Sequence, residues 1–137
     1  MKNFILLSVV FCTSSAFRFI VNPLYAKSWD AMLDVHREEC ILESGVNRIE
    51  ATASVLTMNL PEDPQFKCFA KCVFQKWGFY DPITNSIDID KITNSVMGVQ
   101  KSVVEECFQQ YINEVNQCEK VFSVATCAIS KLQSSLV

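Results

Sequence analysis

Six of the chain's seven cysteines, Cys40, Cys68, Cys72, Cys107, Cys118 and Cys127, are separated by 27, 3, 34, 10 and 8 residues. An even set of cysteines in a small exported chain is a disulfide framework, and six cysteines allow 15 pairings. Cys68 and Cys72 stand at i and i+4, on one face of a helix, where each can be bolted to a different neighbour. The gap from Cys118 to Cys127 also suits a helix but turns its two cysteines to different faces. The framework therefore belongs to a helical protein.

Export is read from the N-terminus. Lys2 supplies a positive start and Phe4 to Phe11 a short apolar run. Ser14-Ser15-Ala16 offers small residues for cleavage, with Leu24-Tyr25-Ala26 as a second candidate. A membrane anchor needs about 20 uninterrupted apolar residues, and Arg18 and Asn22-Pro23 break this run. Residues 1–26 are thus read as a signal region, cut after Ala16 or Ala26, and 27–137 as one helical domain. Cys12 falls in the removed part, leaving an even cysteine count, as an oxidising compartment favours.

Without residues 1–26 the chain loses Lys2 and Arg18, so 10 basic side chains face 15 acidic ones, a formal charge of −5. Scattered acidic charge argues against nucleic acid and anionic membranes, which select clustered basic residues, and favours a soluble monomer or weak dimer. No Asn-x-Ser/Thr sequon is present.

Apolar spacing is helical almost throughout. Trp29, Met32, Leu33, His36 and Cys40 share one face of a first helix, with Ser28 as N-cap and Gly45 as its end. A shorter helix carries Val46, Ile49, Ala53 and Leu56. Asp63 caps the next, Pro64 begins it, and Trp77 to Pro82 breaks it. Ile83 to Asp90 alternates briefly, but no strand of comparable quality exists to pair with it, so the stretch is read as non-strand. Asp88 or Ser86 then caps a helix ending near Gly98. Further helices are expected over about Val99 to Val115 and Cys118 to Leu132. The expectation is an all-α bundle of about six helices.

The words around the cysteines resemble those of insect odorant-binding proteins, the pheromone-binding and general odorant-binding family in its six-cysteine form. Met32-Leu33 precedes Glu38-Glu39-Cys40, followed by Glu43-Ser44-Gly45-Val46. Leu60-Pro61-Glu62-Asp63 leads into Lys67-Cys68-Phe69-Ala70-Lys71-Cys72, and Glu106-Cys107 and Cys118-Glu119-Lys120-Val121-Phe122 close the pattern. The resemblance covers about Ser28 to Lys131. It implies the pairing Cys40–Cys72, Cys68–Cys118 and Cys107–Cys127, which cysteine counting cannot choose.

It further implies a secreted carrier of small hydrophobic volatile molecules held in an internal apolar cavity, without cofactor, metal or catalysis, and with an olfactory receptor as a downstream partner. Staples allow helices to stand apart around such a cavity. Phe66, Phe69, Val73 and Trp77 form one stripe of the central helix. With Val103, Phe122 and Ile129 they are the candidate cavity lining. Gln75 and Tyr111 are the candidate hydrogen-bonding groups toward a ligand oxygen. Trp29, near the start of the first helix, is expected away from the cavity.

Other readings carry less. No serine-elbow, P-loop or zinc motif appears, and Asp34-Val35-His36-Arg37-Glu38 lacks the pattern of secreted histidine phospholipases. His36, the only histidine, fits an ordinary boundary position better than a pH switch. Leu136-Val137 at the end of a short tail is a candidate lid. The alternative function is a secreted helical protein-interaction module of saliva, venom or reproductive fluid.

Overall fold

The computed structural model describes residues 16–134; Cys12, Leu136 and Val137 lie outside them. Among the described residues there are seven helices: α1 (Pro23–Asp34), α2 (Arg37–Ser44), α3 (Arg48–Thr57), α4 (Pro64–Lys76), α5 (Ile89–Ser95), α6 (Lys101–Gln110) and α7 (Gln117–Ser134). Two antiparallel pairs of very short strands complete the described residues: β1 (Ala16–Arg18) with β2 (Asn59–Pro61), and β3 (Tyr80–Asp81) with β4 (Ser86–Ile87). The fold is all-α, as expected.

The seventh helix arises because the expected first helix is two. It starts earlier, with Asn22 rather than Ser28 as cap: the Asn22 side chain accepts from the Leu24 N–H and Pro23 opens the first turn. It then breaks at Val35-His36. Neither residue is a breaker by type, which hides the break from the sequence. Arg37 on α2 reaches back to Asp30 and Asp34 on α1 and clamps the bend. Gly45 ends α2 in the left-handed region, φ 70°, as read from sequence.

Three further expectations are corrected. α3 buries Ala51 and Ser54, while Ile49, Ala53 and Leu56 of the apolar stripe read from sequence point to solvent; Val46, before the helix, is buried as that stripe implied. Residues 86–87 do form a strand. Their partner is Tyr80-Asp81, the segment that breaks α4, and the hairpin is too short to show as a hydrophobic pattern. The helix expected to reach Val115 stops at Gln110, and Val115 is 87% exposed. Asp63 and Asp88 cap α4 and α5 as expected, accepting from the N–H groups of Phe66 and Lys91.

Three disulfides tie the shell: Cys40–Cys72 joins α2 to α4, Cys68–Cys118 joins α4 to α7, and Cys107–Cys127 joins α6 to α7. This is the pairing the family resemblance implies. Cys68 and Cys72 do reach different neighbours from one helix, with Cα separations of 4.6 and 5.6 Å across their bridges. Beside Cys68–Cys118, Lys67 of α4 pairs with Glu119 of α7 at 2.6 Å. Each bridge contributes about 2–4 kcal/mol by restricting the unfolded chain.

Candidate functional site

α4 and α7 form facing walls. α4 turns Phe66, Phe69, Ala70, Val73, Phe74 and Trp77 inward, and α7 turns Phe122, Ala125 and Ile129 toward them. α1 closes one side with Trp29, Met32 and Leu33, and α3 with β2 another, through Val55, Met58 and Leu60. Ile92, Val96 and Val104 come from α5, its end and α6. Between them lies a cavity of about 150 Å³. Residues this large normally pack to crystal density; here the cross-linked shell holds them apart.

The lining is apolar in detail. Both tryptophans face the cavity, yet their indole N–H groups are engaged elsewhere: Trp29 Nε1 donates to the Met97 carbonyl at 3.0 Å and Trp77 Nε1 to that of Met32 at 3.1 Å. Thr126 is the polar side chain of the lining, and its hydroxyl donates to the Phe122 carbonyl of its own helix at 2.9 Å. Among the described residues no charged side chain takes part in the lining. Such a wall selects by shape and hydrophobicity, since any polar group it received would lose its water without gaining a partner.

Six of the nine residues read from sequence meet at this cavity: Phe66, Phe69, Val73, Trp77, Phe122 and Ile129. Three do not. Gln75 is exposed on the outer face of α4. Val103 packs in a second apolar cluster, and its neighbour Val104 faces the cavity instead. Tyr111 caps the end of α6 in that second cluster, its hydroxyl accepting from the side chain of Gln110 at 3.4 Å. Neither expected hydrogen-bonding group therefore reaches the lining. Trp29 is the opposite correction. It is buried in the cavity wall, because α1 begins five residues before the expected cap and places Trp29 mid-helix. Trp29 and Leu33 at i and i+4 were legible as a pair; the partner of that face was not.

His36 stands at the break between α1 and α2, its Nδ1 3.8 Å from Glu39, outside the lining. The Glu39 carboxyl is held below its usual range, first by Lys76 and only secondarily by His36. The disulfide Cys40–Cys72 near Glu43 is the acid–thiol grouping nearest in type to a metal site, and its sulfurs are consumed in the bridge.

A polar node lies away from this cavity. Lys120 of α7 is 2% exposed, and its ammonium donates to the carbonyls of Asn85 at 2.8 Å and Ile112 at 3.3 Å beneath the Phe108 ring. Asn85 donates to the Glu114 carbonyl and accepts from the Tyr80 hydroxyl at 2.7 Å. Burial, with Asp81 nearby, pushes the Tyr80 phenol up and keeps it a donor. The node locks the β3–β4 turn to the α6–α7 connection.

The PBP/GOBP family model matches residues 25–131. The chain belongs to that family. Among relatives, general odorant-binding protein 99a of Drosophila melanogaster is 26% identical over 112 residues, covering 74% of this chain and 78% of its own length. General odorant-binding proteins 99b and 57c of the same fly are 29% and 30% identical, and the matches span half of each. A solved structure, the fatty acid binding protein OBP56a from the oral disk of the blowfly Phormia regina, superposes with a TM-score of 0.58 at 20% identity, over 80% of this chain and 95% of that one. That likeness is one of fold. No helix among the described residues is long and apolar enough to cross a membrane.

Proposed function

We propose that this family member is an exported carrier that takes one small, neutral, apolar molecule into the cavity between α4 and α7 and releases it unchanged. The observation that carries this reading is the cavity itself: about 150 Å³, walled by apolar side chains whose polar neighbours are already satisfied. A cavity of that size and lining stays dry and takes a ligand of about the size of a single benzene ring. Ligands of about 6–8 heavy atoms gain about 5–6 kcal/mol there, a dissociation constant of tens to hundreds of micromolar, which suits loading and release.

Charge decides the ligand class. The blowfly structure is titled a fatty acid binding protein, but the lining formed by the described residues offers a carboxylate no positive partner. Burying an unpaired carboxylate costs far more than apolar contact returns. The reading is therefore a carrier of neutral volatiles such as aromatic hydrocarbons, with acids excluded.

Calorimetric titration with toluene and benzoate, which share the ring and differ in the charged group, tests this. Toluene binding one-to-one, with a negative heat-capacity change and benzoate at least 100-fold weaker, is the expected outcome. Equal binding of both contradicts the neutral-ligand reading, and binding of neither contradicts carriage.

A further inference from the structure

The sequence leaves two cleavage points open, after Ala16 and after Ala26, and the stretch between them is built into the fold. Residues 16–18 pair antiparallel with β2, in the register Ala16↔Pro61, Phe17↔Leu60, Arg18↔Asn59. The ladder is extended by the Phe19 N–H, which donates to the Met58 carbonyl at 3.0 Å. The Phe17 ring stacks on Phe19 and leans on Phe122, with centroids 5.9 Å apart in both pairs. Phe19 packs against the main apolar cluster. Met58, Leu60 and Phe122, the residues this segment covers, all line the cavity.

The remainder of the stretch is as firmly placed. Asn22 caps α1 and Pro23 starts it. Ala26 is 5% exposed. Tyr25 stacks on Trp29 and lies over Gly98, where a Cβ would come within 2.6 Å of its ring. Removing residues 17–26 would strip α1 of its cap and first turn and uncover part of the cavity wall.

The geometry points to Ala16–Phe17 as the processing site and to Phe17–Val21 as a strap over the Met58, Leu60 and Phe122 side of the cavity. Hydrolysis of that one peptide bond by a leader peptidase consumes one water, leaving a carboxylate on Ala16 and an ammonium on Phe17. Phe17 is 37% exposed, so the new charged terminus stays in water while the ring keeps its contact with Phe122. The strap then stands between ligand and solvent, and its opening sets the rate of release. This inference rests on the export and carrier readings above.

The test uses the full 137-residue chain expressed in a secreting insect cell line. Edman sequencing and intact mass of the secreted protein should give Phe17 as the first residue. Lys27 as the first residue overturns the proposal while leaving export standing. An uncut, retained chain overturns the export reading and the proposal with it. On the secreted protein, fluorine NMR line shapes of fluorobenzene report the dissociation rate. Phe19→Ser should raise that rate about 3- to 10-fold with a smaller change in affinity. Phe17→Ala, the milder change at a partly exposed site, should raise it about 2-fold, with the cut position verified by mass. Rates unchanged in both variants refute the strap. Absence of fluorobenzene binding by the unsubstituted protein refutes the carrier reading instead.

Discussion

The two faces of α7 solve opposite problems with the same backbone. One face, with Phe122, Ala125 and Ile129, borders space and presents no available hydrogen-bonding group to it. The other buries Lys120, and every donor of that ammonium has a carbonyl or a ring to meet. A buried charge without partners costs several kcal/mol, so the node has to be complete. An apolar void, in contrast, costs only the contacts it forgoes. The cavity is kept open because the polar node and the disulfides fix the shell around it.

Three variants and one pH dependence separate these roles. The largest effect is expected from removing Cys68–Cys118, which closes the longest loop, a sequence separation of 50. The double variant Cys68→Ser, Cys118→Ser should lose about 4 kcal/mol of stability together with toluene binding, read by denaturant unfolding and calorimetry. If binding survives, the shell does not depend on this bridge.

Lys120→Ala comes next. It leaves the carbonyls of Asn85 and Ile112 unpaired in the interior and should cost about 2–3 kcal/mol. Toluene affinity of the folded fraction should stay within about 2-fold, since Lys120 is not part of the lining. A large loss of affinity at unchanged stability would join the two faces into one site.

Ala125→Leu attacks the other face. It fills the space opposite α4, so toluene binding should fall at least 10-fold while stability changes by less than about 1 kcal/mol. Unaltered affinity would move the ligand elsewhere.

The smallest effect concerns Glu50 on α3, next to Asp63 at the start of α4. Its carboxyl is raised, first by desolvation and then by repulsion from Asp63. A raised carboxyl stabilises the fold in acid and loses that contribution as pH climbs through the carboxylate range. Glu50→Gln should therefore raise the unfolding midpoint slightly at pH 7 and leave it unchanged near pH 3. A rise only in acid would reverse the assignment.

Much of the frame was legible because cysteine spacing and capping residues are local signals. Asp63-Pro64, Asp88 and Gly45 act where their chemistry says they must. The cavity lining was legible where a single helix carries it: Phe66, Phe69, Val73 and Trp77 follow from one stripe. It was not legible where the answer depends on how elements rotate against each other. Val103 and Val104 differ by one step around α6, and only its packing on α7 through Cys107–Cys127 decides which looks inward. Trp29 was misplaced because Asn22-Pro23 lay inside a stretch read as leader. The break at Val35-His36 depends on the Arg37 clamp, a tertiary contact that residue type does not announce.

The most direct measurement is a crystal structure of the protein grown with bromobenzene, a ring-sized neutral ligand with an anomalous scatterer. The account places a single bromine peak between α4 and α7, within van der Waals contact of Val73, Phe122 and Ala125. A peak confined to the polar groove beside Glu50, Asn59 and Asp63, or an empty cavity in protein that binds bromobenzene in solution, would contradict it.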